Sequence, residues 1–378
     1  MLQLPPLSLY IHIPWCVKKC PYCDFNSHQK KQDLPEAQYI EALIEDLSAD
    51  KAKAQGREIS TIFIGGGTPS LFSASSFAYL LERIHSIIPI SPSAEITMEA
   101  NPGTLEYDSF AAYRDAGITR LSIGVQSFSS THLDKLGRIH DHQEAIVAIQ
   151  RAKTAGFSGL NVDLMHGLPD QSFEQAMHDL DQAIALEPNH ISWYQLTIEP
   201  NTLFYSQPPV LPEDEQLWHI FIEGRKKLAE SGYQQYEISG YSKQQTPCQH
   251  NLNYWRFGDY LGIGCGAHGK ITVPGEQLIL RTTKIKHPQG YLASLQRTTE
   301  QRHIAQDDLA LEYFMNRARL YEPIPKAEFE ARTGIHREHI QKKLLPAINK
   351  KLLQEDSTHW YLTEQGSLFI NELLGHLM

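Results

Sequence analysis

From residue 7 to about residue 196 the chain repeats one rhythm: a short β-rich apolar run, a small or polar cluster, then a helical pattern. The apolar runs cover 7–13, 59–64, 95–100, 120–125, 159–164 and 190–196, and helical periodicity recurs near 35–55, 74–88, 105–116, 142–155 and 172–187. Several of these helices follow a residue suited to capping, namely Ser73, Thr104 or Ser172, whose side-chain oxygen accepts a free N–H of the first turn. Strict alternation of this kind predicts an α/β fold with a parallel sheet, because parallel neighbours are joined only through right-handed crossovers. Such units close into a barrel or lie open as a doubly wound sheet, and the rhythm alone does not choose.

The rhythm loosens after residue 200, where Pro208, Pro209 and Pro212 mark an exit, followed by a helix near 213–231 and a strand-like YQQYEIS. After about residue 305 a helical pattern leads into HREHIQKKLLPAINKKLL and the hairpin-like LLQEDSTHWYLTEQG, an order that reads as winged-helix-like. The expected division is a core over 1–205, an extension and connecting region over 206–304, and a C-terminal domain over 305–378. Seven Lys and Arg against three Glu in 326–351 keep DNA binding open, although packing is the plainer role. The whole chain, with 34 Lys and Arg against 44 Asp and Glu, argues against a general nucleic-acid binder. Its N-terminal apolar stretch is broken by Pro5 and Pro6 and lacks the basic start of a signal peptide. No membrane anchor is expected.

Five cysteines stand at 16, 20, 23, 248 and 265. An odd number, with three crowded into eight residues, is a poor disulfide framework and points to a reducing cytosol and a metal centre. Cys16, Cys20 and Cys23 form C-x3-C-x2-C directly after the first strand. Three thiolates hold three irons of a cubane and leave the fourth open to a small molecule. Zinc is the competing occupant, with His12 or His28 as a fourth ligand, but this spacing is unusual for it. Cys248 and Cys265 read as small buried hydrophobes.

The three-cysteine spacing, with Tyr22 before the last cysteine, resembles the motif of the radical S-adenosylmethionine (SAM) superfamily. The resemblance implies a partial (β/α)6, TIM-like barrel with a C-terminal helical, winged-helix-like domain. It also implies a 4Fe-4S cluster whose open iron chelates SAM and splits it reductively to a 5'-deoxyadenosyl radical. Polar residues fall just beyond the carboxyl ends of five successive strands, where barrel sites are built. They include Gly65, Gly66, Gly67 and Thr68 after the second strand, Glu99 after the third, Gln126 after the fourth and Asp163 on the fifth. These motifs, with Arg138 in LGRIH, resemble the oxygen-independent coproporphyrinogen III oxidase-like branch over almost the whole chain. In that branch Tyr10, Gly66, Gly67, Thr68, Glu99, Gln126, Arg138 and Asp163 fall on SAM-contacting positions.

Two departures set the chain apart from the oxidase. Asp24 and Phe25 follow Cys23, so the oxidase's fourth cysteine is missing, and so is its long N-terminal extension. Instead the chain carries CQHNLNY, which places His250 and Tyr254 four apart, on one face of a helix. Within this branch an HNxxY motif accompanies heme-binding chaperones. The resemblance therefore implies a cytoplasmic chaperone that binds heme, with His250 as an iron ligand and Tyr254 beside it. Acceptor hemoproteins, including membrane-bound respiratory enzymes, and a second copy of the chain are its expected partners. Oxidative decarboxylation of a porphyrinogen is the alternative activity.

Overall fold

The computed structural model describes residues 1–31, 33–104, 108–244 and 246–378. Each apolar run forms a strand: β1 Leu7–Ile13, β2 Ile59–Gly66, β3 Ile90–Ala100, β4 Arg120–Gln126, β5 Gly159–His166 and β6 His190–Gln195. These six pair in parallel in chain order. The period of two sorts their side chains. Leu7, Leu9, Ile11 and Ile13 of β1 are buried in the main apolar core, whereas Ser8, Tyr10 and His12 share the opposite face and make polar contacts inside the barrel.

The crossover helices are α1 Glu36–Asp50, α2 Ala74–Ile87, α3 Phe110–Asp115, α4 Ser130–Lys135, α5 His142–Ala155 and α6 Phe173–Ala185. Ser73 caps α2, and Ser172 forms a capping box with Gln175 at the start of α6. The helix α3 does not begin directly after Thr104. That helix starts at Phe110 with Ser109 as its cap, and the expected start over 105–107 lies outside the described residues.

The sheet is wider than six strands. It continues through β7 Gln234–Gln235, β8 Gly240–Ser242, β9 Asp259–Gly264, β10 His268–Val273, β11 Leu278–Lys284 and β12 Thr298–His303, in the order β12-β11-β10-β9-β1-β2-β3-β4-β5-β6-β8-β7. The strand β9 pairs in parallel with β1 and is therefore a seventh parallel strand. Its glycines disguise it in the sequence and are demanded by the packing. A Cβ on Gly262 would sit 1.9 Å from the His268 carbonyl oxygen, and Gly264 takes φ +101° with its missing Cβ aimed at the His12 carbonyl. Tyr233, Tyr241, Leu261, Ile263 and Tyr291 join the same core as β1–β6, so much of the 206–304 stretch packs into the barrel.

Further helices are α7 Leu203–Ser206, α8 Asp214–Glu230, α9 Gln249–Trp255, α10 Leu309–Arg317, α11 Lys326–Thr333 and α12 Glu338–Asn349. The helices α11 and α12 turn at Gly334, at φ +73°, and precede an antiparallel pair over Leu353–Glu355 and His359–Leu362, as the winged-helix reading expects. Trp360 locks this unit, with its ring 5.5 Å from Phe314 and 5.7 Å from Phe329. Its basic residues are largely engaged: Lys326 pairs with Glu355, Arg337 with Glu330 and Lys350 with Glu372. That favours packing over DNA contact.

Candidate functional site

After β1 the chain turns at Pro14 into Trp15–Cys16, which pairs with His28–Gln29 and closes the cysteine segment into a loop. The Cys16 carbonyl accepts the Lys30 N–H at 2.8 Å, and the Pro14 carbonyl accepts the His28 N–H at 2.7 Å. Distant side chains fasten the loop. Asn26 Nδ2 donates to the carbonyls of Cys265 and Lys286, each at 2.9 Å. Burial holds the His12 pKa down to about 4, so the ring is neutral, with Nε2 3.0 Å from the Asn26 carbonyl and Nδ1 2.9 Å from the Tyr10 hydroxyl. One N–H on Nε2 and one acceptor at Nδ1 satisfy both contacts.

The loop covers a cavity of about 430 Å³ at the carboxyl end of the strands. All three motif cysteines line it together with Tyr22, Gly66, Gly67, Thr68, Glu99, Gln126, Arg138 and Asp163. Tyr10 does not reach its wall. Period-two alternation turns it into the barrel, where its ring stacks 6.3 Å from Phe63. Several lining residues had no signal in the motifs: Ser122 lies mid-strand, and Tyr194, Gln195 and Glu199 belong to the sixth strand's end and the segment after it. Extending the strand-end rule to that sixth run, SWYQLTIEP, would have found the last three.

The glycine turn does less for a ligand than its composition implies. The Gly66 N–H is given to Glu99 Oε2 at 3.0 Å, the Gly67 N–H to the Ile13 carbonyl at 2.7 Å and the Thr68 N–H to the Trp15 carbonyl at 2.8 Å. What the glycines supply is closeness. A Cβ on Gly67 would sit 2.5 Å from the Trp15 oxygen, and one on Gly66, at φ +113°, would sit 2.4 Å from the His12 ring. Gly66→Ala is therefore expected to cost about 1–3 kcal/mol, read as a lower denaturation midpoint. A Gly56→Ala control, at φ +77° with nothing within 4 Å of the missing Cβ, carries the backbone strain without the clash and loses less.

The cavity concentrates unmet charge. Burial, then the nearby charge of Asp163, pushes the Glu99 carboxyl up to about 7, against the Gly66 N–H that lowers it. Burial also raises Asp163 against hydrogen bonds from Ser122 and Asn161. Neither carboxylate is in a salt bridge among the described residues, although Arg120 lies within electrostatic reach of Asp163, and two buried carboxylates facing one cavity call for a cationic ligand. Gln126 sits at φ +70°, rare for a residue with a side chain, and its Oε1 accepts the Tyr194 hydroxyl at 2.7 Å. Arg138 donates through Nη2 to the Gly124 carbonyl and approaches the Cys20 sulfur at 3.7 Å, while its buried Nε has no partner among the described residues.

The thiols fit a cluster. Burial pushes Cys16 up to about 11 and raises Cys23, so free thiols stay protonated and a metal centre displaces those protons. Thr68 hydrogen-bonds Cys16 and Ser27 hydrogen-bonds Cys23. Among the described residues no three His, Cys, Asp or Glu side chains converge on a single-ion position, while the three motif sulfurs line one cavity.

His250 and Tyr254 lie elsewhere. They are on α9, as the spacing expects, but this helix closes the opposite end of the barrel. His250 is buried, with Nδ1 3.0 Å from Thr61 Oγ1 near the start of β2, while the cavity borders Gly66 at its end. Five strand residues separate the two levels, roughly 16 Å. Tyr254 is exposed and packs on Trp255 and Tyr260.

Comparison with known proteins agrees with this geometry. The Radical SAM superfamily model matches residues 10–183, and the HemN C-terminal domain model matches residues 304–369. The chain is 57% identical to heme chaperone HemW of Escherichia coli (strain K12), covering 99% of this chain and 98% of that protein. It is 33% identical to heme chaperone HemW of Bacillus subtilis (strain 168), covering 97% and 98%. The solved structure of Escherichia coli coproporphyrinogen III oxidase, a radical SAM enzyme, superposes with a TM-score of 0.82 at 24% identity, covering 99% of this chain and 90% of that one, which establishes the shared fold. With this full-length similarity and the three-thiol cavity, the chain belongs to the HemW family of heme chaperones within the radical SAM superfamily.

Proposed function

We propose that the chain binds heme and delivers it to acceptor hemoproteins, with a 4Fe-4S cluster on Cys16, Cys20 and Cys23 and SAM in the cavity beside it. The observation that carries this reading is the 57% identity, over nearly the full length of both chains, to a heme chaperone. When bound, the cluster supplies one-electron chemistry and an open iron for the nucleotide's amino and carboxylate groups. The chain's own residues do the holding. Glu99 and Asp163 offer negative charge to the sulfonium and acceptors to the amine and the ribose, while Thr68, Gln126 and the free Nε of Arg138 supply polar contacts.

For heme we assign His250, with Tyr254 beside it. Burial holds the His250 pKa down to about 3, so its imidazole is neutral, the form that binds iron. An N–H on Nδ1 given to Thr61 leaves the Nε2 lone pair available, and Nε2 has no partner among the described residues. His250→Ala is expected to change the heme Soret band and weaken heme binding, with cluster iron and sulfide unchanged; an unaltered spectrum and affinity remove His250 from the site.

Five free thiols support a reducing, cytoplasmic setting. Among the described residues no helix is long and apolar enough to cross a membrane, and membrane-bound respiratory hemoproteins are acceptors reached by transient contact. The test is transfer. Heme-loaded, cluster-reconstituted protein mixed with an apo-hemoprotein should pass its heme on, seen as the acceptor's Soret spectrum. No transfer, together with vinyl product from a porphyrinogen under reducing anaerobic conditions, would assign the oxidase activity instead.

A further inference from the structure

We propose that His190 and Tyr236 are positioning residues that tie the cavity-facing carboxylate of Asp163 to helix α9, so that SAM at one end of the barrel sets the position of His250 at the other. This rests on the assignment of the cavity to SAM and of His250 to heme.

A continuous chain of hydrogen bonds crosses the barrel interior. Both Asp163 oxygens are held, Oδ1 by Asn161 Nδ2 at 2.8 Å and Oδ2 by the Ser122 hydroxyl at 2.9 Å. Asn161 Oδ1 meets His190 Nδ1 at 2.6 Å, and His190 Nε2 meets the Tyr236 hydroxyl at 2.9 Å. The Tyr236 oxygen accepts the Cys248 N–H at 3.3 Å. Cys248 is the residue that opens α9. Its thiol donates to Glu95 Oε1 at 3.4 Å, and the same oxygen accepts the His250 N–H at 3.1 Å.

The direction of every bond is fixed. His190 is fully buried and its pKa is held well below the ordinary range by that burial, so it is neutral and carries one N–H. Asn161 Oδ1 can only accept, which puts that N–H on Nδ1 and makes Nε2 the acceptor of the Tyr236 O–H. The Tyr236 oxygen is then free to accept from Cys248. A flipped Asn161 amide or the other His190 tautomer breaks the chain and strands buried polar groups, at a cost of about 1–3 kcal/mol each. Arg120 stands along this line as a buried cation within electrostatic reach of Asp163, Tyr236 and Cys248. A cationic ligand at Asp163 pulls on the two oxygens that Asn161 and Ser122 hold, and of the partners of a readjusted Asn161 it is His190 that leads on, through Tyr236, to Cys248. Movement at Cys248 is movement of the helix that carries His250.

Tyr236→Phe cuts the chain in its middle, outside both ligand sites, by removing one hydroxyl. Hydrogen exchange of residues 248–255 in the full-length, cluster-reconstituted protein, with and without SAM, reads α9 directly; heme titration with and without SAM reads the consequence. In the wild type SAM is expected to change both, about fivefold or more. In Tyr236→Phe, SAM binding itself stays within about twofold, which also reports a folded cavity, and both responses vanish. Ser192→Ala, which removes side contacts to Asn161 and Asp163 but leaves the Asn161–His190–Tyr236 bonds in place, keeps them. A wild type whose α9 exchange and heme affinity ignore SAM overturns the proposal, as does a Tyr236→Phe protein with undiminished coupling. If exchange responds to SAM but heme does not bind at all, the relay stands and the heme assignment fails.

Discussion

Anaerobically reconstituted Cys20→Ala or Cys23→Ala protein is expected to contain almost no cluster iron or sulfide and to lose the cluster's broad visible absorbance, while remaining folded. Three thiolates hold a cubane with one iron free; two leave half of it without protein ligands. The loop that presents them does not depend on the cluster. Its neck is closed by backbone bonds from His28 and Lys30, and its far end by Asn26 on the Cys265 and Lys286 carbonyls. Circular dichroism of the variants should therefore match the wild type. Cys248→Ala and Cys265→Ala remove thiols that do not line the cavity and should keep a full cluster, which separates ligation from general thiol loss.

The second large effect is a pH dependence of SAM binding that belongs to Glu99. Its carboxyl is pushed up to about 7 by burial first and by Asp163 second. The ligand's sulfonium charge and the N–H groups of its amine favour the ionised form, so below pH 7 binding must expel a proton from Glu99 and affinity falls, approaching tenfold per pH unit. Above pH 7 it levels off. Glu99→Gln is expected to flatten this profile and to weaken binding at pH 8 by roughly 1.5–3 kcal/mol, or ten- to a hundredfold. The same substitution acts oppositely on the empty protein. A folded pKa raised above the ordinary 4.5 means that stability is full below pH 4.5 and is lost as pH rises through 7. Glu99→Gln should thus raise the denaturation midpoint of the empty protein at pH 8 and leave it unchanged at pH 4. Calorimetric titration across pH 5.5–8.5 and denaturant melts at the two pH values check both halves.

The parallel strands were legible because each is buried on its outer side by apolar residues, mostly Ile, Leu and Val, which leaves a dense apolar signature between polar turns. Most of the cavity was legible for a related reason: once the strands are placed, Gly66, Glu99, Gln126 and Asp163 must share one rim. Contacts that join distant parts of the chain leave no such signature. Nothing local shows that Asn26 reaches Cys265, that Gly264 exists to let β9 approach His12, or that Tyr236 meets His190. Tyr10 shares a face with Ser8 and His12 and points into the interior, within electrostatic reach of Glu99. His250 and Tyr254 do fall on a helix as their spacing requires, yet one is buried at the barrel base and the other exposed, a difference set by how α9 docks and not by the motif.

The central claim is that the three-thiol cavity is one site for a cluster and SAM together. The most direct measurement is SAM titration of reduced, anaerobically reconstituted protein followed by the electron paramagnetic resonance of the cluster. The account predicts a cubane spectrum that shifts as SAM is added and saturates with it, in the wild type and not in a protein lacking Cys20. A spectrum indifferent to SAM, or protein that takes up a single zinc ion in place of iron and sulfide, would contradict it.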